Sequence, residues 1–125
     1  MRETSAAADA LPPPPGSGSP AVLLVDLVER AAARLMRRGL LPGQSSVAVA
    51  LNVDHVAGTR TPFEHWHVTV RRTAVRGRLQ EFQVEVFDDR GLIASAAHTR
   101  AVVVERRFLA LTRKRASLPA MLLQA

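Results

Sequence analysis

The chain of 125 residues has no cysteine and no tyrosine, and aromatic residues make up only 4% of it. Without thiols there is no disulfide framework, no thiolate metal site and no cysteine nucleophile. Hydrophobic residues nevertheless reach 47%, so a core exists and has to be aliphatic. No apolar run approaches the ~18 residues of a membrane span, and the N-terminus lacks the long apolar segment of a secretion signal. A cytoplasmic protein without a membrane partner is the expectation. Four histidines are the remaining metal-ligand candidates. His65 and His67 would face the same way on a strand, but two ligands at that spacing do not make a site, and no metal is expected.

Acidic residues are missing from one region in particular. Residues 106–125 hold Arg106, Arg107, Arg113, Lys114 and Arg115 and no acid, within a chain of net charge +6. The rest is therefore nearly neutral. Nucleic-acid binders spread positive charge over a face and add base-reading side chains, so nucleic acid is not expected as a partner. The basic end reads first as a solvated tail. The sharper reading is a contact to the phosphates of a nucleotide-like group.

Residues 1–18 are rich in Ala, Pro, Gly and Ser, with Pro12 to Pro15 consecutive, and have little to bury. They are expected to form a disordered leader, followed by one domain over 19–115 and a tail over 116–125. Ser19-Pro20 suits a helix start, with Ser as the N-cap and Pro at the first helical position. From there Leu24, Leu27, Val28, Ala31 and Leu35 recur at helical spacing. Val22, Leu23, Val25, Ala32 and Ala33 extend the apolar character round the other faces, which predicts a buried helix. Gly39 and Pro42-Gly43 end it.

Beyond the turn the period becomes two. Val47, Val49, Leu51 and Val53 predict one face of a strand. Residues 64–76 and 79–88 predict a hairpin about Gly77-Arg78, and Leu92 to Glu105 a final strand. Short turns favour antiparallel neighbours. One long buried helix followed by four antiparallel strands is an α+β arrangement in which a curled sheet covers the helix, the architecture of the hot-dog fold.

Three residues stand out chemically. Glu29 has Val25, Asp26, Ala32 and Ala33 as its helical neighbours, none of them a cation, whereas Asp26 has Arg30 four positions on. A carboxylate among apolar groups needs a partner from another element, and such surroundings suit proton transfer; a purely structural carboxylate is the equal alternative. His55 ends a strand beside the loop-like Val56-Ala57-Gly58-Thr59-Arg60-Thr61-Pro62, within reach of a ligand. His98 lies mid-strand among small residues, and Arg100 shares its face.

Leu41-Pro42-Gly43, the strand ending Asp54-His55-Val56-Ala57-Gly58-Thr59, and Ala97-His98-Thr99-Arg100-Ala101-Val102-Val103 together resemble the fluoroacetyl-CoA thioesterase family over about residues 20–115. The resemblance implies a hot-dog homodimer acting on an acyl-CoA thioester, with coenzyme A entering as part of the substrate and no separate cofactor. It also implies catalytic roles for Glu29 and His55. The family's third catalytic residue is a hydroxyl, and Ala21 falls at its place; Ser19, two residues away, and His98 are further candidates. Ala48 stands where the family has a glycine near the substrate and Phe63 where it has the glycine after the His loop, and with Ala21, Thr59 and Arg100 they are the expected substrate contacts. The missing hydroxyl leaves open a second reading, a non-catalytic hot-dog protein that binds an acyl-CoA or similar ligand.

Overall fold

The computed structural model describes residues 3–7, 20–58 and 61–116. Helix α1 (Pro20–Arg37) is followed by strands β2 (Gln44–His55), β3 (His67–Arg76), β4 (Leu79–Asp88) and β5 (Gly91–Val104), and then by helix α2 (Glu105–Ala116). Ahead of α1 lies a short strand β1 (Glu3–Ala7), and a 3₁₀ turn occupies Phe63–His65. The five strands form one antiparallel sheet in the order β1-β3-β4-β5-β2, and α1 packs across β2 to β5. This is the hot-dog arrangement expected from the sequence.

The turns follow from backbone chemistry. Leu41-Pro42-Gly43-Gln44 closes with a Gln44 N–H to Leu41 carbonyl bond of 3.0 Å, and Gly43 sits at φ 82°. Proline then glycine is the natural pair for such a turn, because proline presets φ at the second position and only glycine takes the third without strain. The β3–β4 hairpin turns on Gly77 at φ 61°, where a Cβ would be strained.

One stripe of α1, comprising Leu24, Leu27, Val28, Ala31 and Leu35, is buried together with Ala32 and Met36. It meets Val68 and Val70 of β3, Phe82, Val84 and Val86 of β4, and Ile93, Ala94 and Ala96 of β5 in a single core. Trp66 closes this core. Its indole N–H donates to the Thr61 carbonyl at 3.0 Å, and Phe63 lies against its ring with centroids 5.3 Å apart.

Three expectations need correction. The leader was expected to be disordered through residue 18, but Glu3–Ala7 adds a fifth, edge strand, with Glu3 opposite Arg71 and Ala7 opposite His67. The free ladder edge of β3 supplies the backbone partners that its weakly β-forming side chains do not dictate. The remaining leader positions, 8–18, lie outside the described residues, as does the tail from 117 onward. Second, α1 is not buried all round: Val22 is 51% and Val25 39% exposed, because the sheet of one chain covers one side only. Third, the alternation in β2 is interrupted. Its register on β5 shifts between Ala48 and Ala50, leaving Val49 as a bulged residue. Antiparallel partners share a face, so Ser46 and Ala48 stand with Val102 and Arg100, and Leu51 and Val53 with His98 and Ala96. Val47 therefore points away from Leu51, and Val49 is 54% exposed.

Candidate active site

The helix-facing side of the sheet is apolar over much of β3 to β5 and becomes polar toward one end, where Arg72 donates a hydrogen bond to Gln80 at 3.1 Å on the face that also carries β5's polar pair. There His98, 1% exposed, and Arg100, 8% exposed, project from β5, two residues apart and so on one face. The His98 Nδ1 lies 2.8 Å from the Ala50 carbonyl, and its Nε2 lies 3.2 Å from Arg100 Nη1. A carbonyl only accepts and a guanidinium only donates. Nδ1 therefore carries the proton, Nε2 accepts from Arg100, and the imidazole is neutral. Burial lowers its pKa below the ordinary 6.5, outweighing the opposing effect of the Ala50 bond, while the Arg100 charge lowers it further. Arg100 also donates through Nε to Ser46 Oγ at 3.0 Å and through Nη2 to the Ser46 carbonyl at 3.1 Å.

Glu29 acts on the His98–Arg100 pair electrostatically across the helix–sheet interface. It is half-buried on α1, and its charge favours the cationic form of each. Asp26, by contrast, pairs with Arg30 at 3.1 Å along the helix, as its spacing predicts. On the outer side of α1, Glu29, Asp26, Val25, Val22 and Ala21 line a largely apolar cavity of about 360 Å³. Ala21 and Glu29 are eight residues apart, so they fall on one helix face two turns apart. Ala21 is exposed there.

His55 takes a different position. It ends β2 opposite Ala94 and is exposed. The β5 residue that feels Glu29 is His98, four positions from Ala94, which is about 13 Å along a strand. Within one chain Glu29 is thus brought to His98 and Arg100 rather than to His55. Because only a short connection links α1 to β2, the two run in opposite directions. Ala21 and His55 consequently lie toward the same end of the sheet. Ala48 is exposed on β2 directly opposite Arg100. Phe63 is engaged with Trp66 and the core. Ser19 and Thr59 lie outside the described residues. Arg100, expected at coenzyme A phosphates, has three of its N–H groups committed inside the protein, although it borders a cavity of about 610 Å³ with Arg37, Gly43, Gln44, Ser45 and Ser46. No group of three or more metal-ligating side chains occurs among the described residues.

Ser46 and the Ala50 carbonyl were not recognised from the sequence. The available hint was the Ser45-Ser46 pair at the head of an otherwise largely apolar strand, and the partner of Ser46 stands 54 positions away.

An antiparallel sheet packed across the long helix α1 is the hot-dog fold, which thioesterases share. A family model described as fluoroacetyl-CoA-specific thioesterase, FlK, matches residues 19–106, and the chain belongs to this family. It is 35% identical over 92 residues to the fluoroacetyl-CoA thioesterase of Streptantibioticus cattleyicolor, a match covering 74% of this chain and 66% of that protein, just under two-thirds of its length. Among solved structures, a threonine-to-alanine mutant of FlK in complex with fluoroacetate superposes with a TM-score of 0.72 at 28% identity, covering 92% of this chain and 98% of the other. A phenylalanine-to-alanine mutant of FlK in complex with fluoroacetate and CoA gives 0.69 at 26% identity, over 95% and 100% of the two chains. A hot-dog-like protein from Thermanaerovibrio acidaminovorans shares the fold at 18% identity, with a TM-score of 0.68 over 91% and 88% of the two chains.

Proposed function

We propose that this chain hydrolyses a small acyl-CoA thioester. Family membership over residues 19–106 carries the reading, and the helix carboxylate Glu29 on an accessible apolar cavity is consistent with it. In the proposed reaction Glu29 draws a proton from water as the water oxygen attacks the thioester carbonyl. The C–S bond then breaks, and the departing thiolate takes a proton from His55. Free N–H groups in the first turn of α1, around Ala21 to Leu23, suit the developing oxyanion.

A homodimer is part of this proposal. Strand β2 is an outer strand of the sheet and exposes Val49 along its free edge, so a second copy pairing there would cover both and bring a second His55 toward the helix face. A non-catalytic acyl-CoA-binding role is the second reading, and Ala21 favours it because the position implied for a catalytic hydroxyl holds none.

A panel of acyl-CoAs with free-thiol detection separates the two readings. Hydrolysis that falls about 10²- to 10⁴-fold in Glu29→Gln and His55→Ala supports the first. Saturable binding without thiol release supports the second, and turnover undiminished in both variants overturns the assigned residues.

A further inference from the structure

The two ends of the sheet differ in charge. At one end are the β4–β5 turn with Asp88, Asp89 and a single cation, Arg90, the end of β2 with Asp54, and Glu64 ahead of β3. At the other end the β3–β4 hairpin carries Arg76 and Arg78, and α1 finishes with Arg37 and Arg38. Helix α2 starts there too: the Glu105 N–H donates to the Gly43 carbonyl at 2.9 Å, and the Val102 N–H to the Arg78 carbonyl at 2.8 Å. Every residue of α2 from Glu105 to Lys114 is exposed.

Exposed apolar side chains gather at this same basic end. On α2 these are Phe108 at 41%, Leu109 at 51% and Leu111 at 64%, and Val104 precedes them at 39%. Within α2, Phe108 and Leu111 stand at i and i+3 and form one apolar face, Leu109 lies on a different side of the helix, and Val104 ends β5 just before it. Arg107 and Lys114 flank this face on one side, and Arg106 and Arg113 lie across the helix. Beside the helix, the hairpin exposes Val75 and Leu79, and the turn before β2 exposes Leu41. Seven of the eleven exposed large hydrophobic residues among the described residues thus share the end that carries the arginines.

We infer that this end of the domain, centred on α2, docks on an anionic lipid surface. Cations attract the headgroups, and the Phe108–Leu111 face beside Arg107 and Lys114 enters the headgroup–acyl boundary, which requires no spanning helix. None of the described helices is long and apolar enough to cross a membrane. A nucleic acid would use the cations and leave Phe108, Leu109 and Leu111 in water. A second copy docked helix-to-helix about a two-fold axis would set like charges against each other. The inference stands independently of the hydrolase reading.

Flotation of the full chain with vesicles tests it. One set is phosphatidylcholine alone, and the other is phosphatidylcholine mixed with phosphatidylglycerol. The expected result is salt-sensitive binding to the anionic vesicles, weakened on the order of tenfold or more both by Phe108→Ser with Leu111→Ser and by Arg107→Glu with Lys114→Glu. Circular dichroism melts establish that both variants are folded, and all four positions are exposed. Absence of flotation, equal binding to neutral vesicles, or binding that survives loss of the apolar face overturns the inference. So does a smaller oligomer of the Phe108/Leu111 variant in vesicle-free sedimentation, which would reassign the face to contact between copies.

Discussion

Arg100 donates a hydrogen bond from Nη1 to the unprotonated Nε2 of His98 at 3.2 Å, so a permanent cation holds its histidine neighbour in the neutral state. Protonating His98 would turn that acceptor into a donor and set two cations against each other. The folded state therefore binds this proton less readily than the unfolded chain, whose histidine titrates near 6.5. The stability contributed by neutral His98 is fully present above that value and is lost as pH falls below it toward the depressed folded pKa. The thermal midpoint should decline over this acid window, and in His98→Gln the decline should be shallower, as followed by circular dichroism across a pH series.

Ser46 holds the other side of the same guanidinium. Ser46→Ala removes the acceptor of the Arg100 Nε bond and leaves a largely buried charged donor without it. A loss of about 1–3 kcal/mol is expected from urea unfolding.

Leu27 is fully buried on the sheet-facing stripe of α1. Truncating it opens a cavity at the centre of the helix–sheet contact, and Leu27→Ala should cost about 2–5 kcal/mol. The same denaturation assay checks this, and an unchanged slope with denaturant would show that the unfolded state is unaffected.

Ala21→Thr places a hydroxyl on the helix face that also carries Glu29. If the small cavity there receives the acyl group, one added hydrogen bond in the transition state raises kcat/KM about tenfold. The measurement is thiol release from a short-chain acyl-CoA, with Ala21→Val as the control of similar size.

Much of this molecule could be read from its residues. The sheet-facing stripe of α1 and the inward sets Trp66-Val68-Val70 and Phe82-Val84-Val86 follow local periodicity, and each is buried. Glycine at position 77 marks the hairpin because its backbone conformation is local as well. Glu3–Ala7 was missed, since Glu, Thr, Ser and Ala carry no alternating apolar signal and form a strand only by borrowing the edge of β3. At the site, the shared face of His98 and Arg100 was legible from their two-residue spacing. Their mutual bond, the anchoring by Ser46 and the approach of Glu29 were not, because each depends on contacts between elements far apart in the chain.

The bulge at Val49 divides β2 into two half-strands whose side-chain phases are set independently. Deleting that one residue would leave Ala48 and Ala50 adjacent, opposite Arg100 and Thr99, so that both halves keep their present faces, Ser46 and Ala48 with Arg100 and Leu51 and Val53 with His98 and Ala96. Position 49, whose side chain is half in solvent, is therefore a place where β2 can be shortened by one residue without exchanging its faces. The polar half and the apolar half can each be redesigned or diversified by substitution alone, without disturbing the frame of the other.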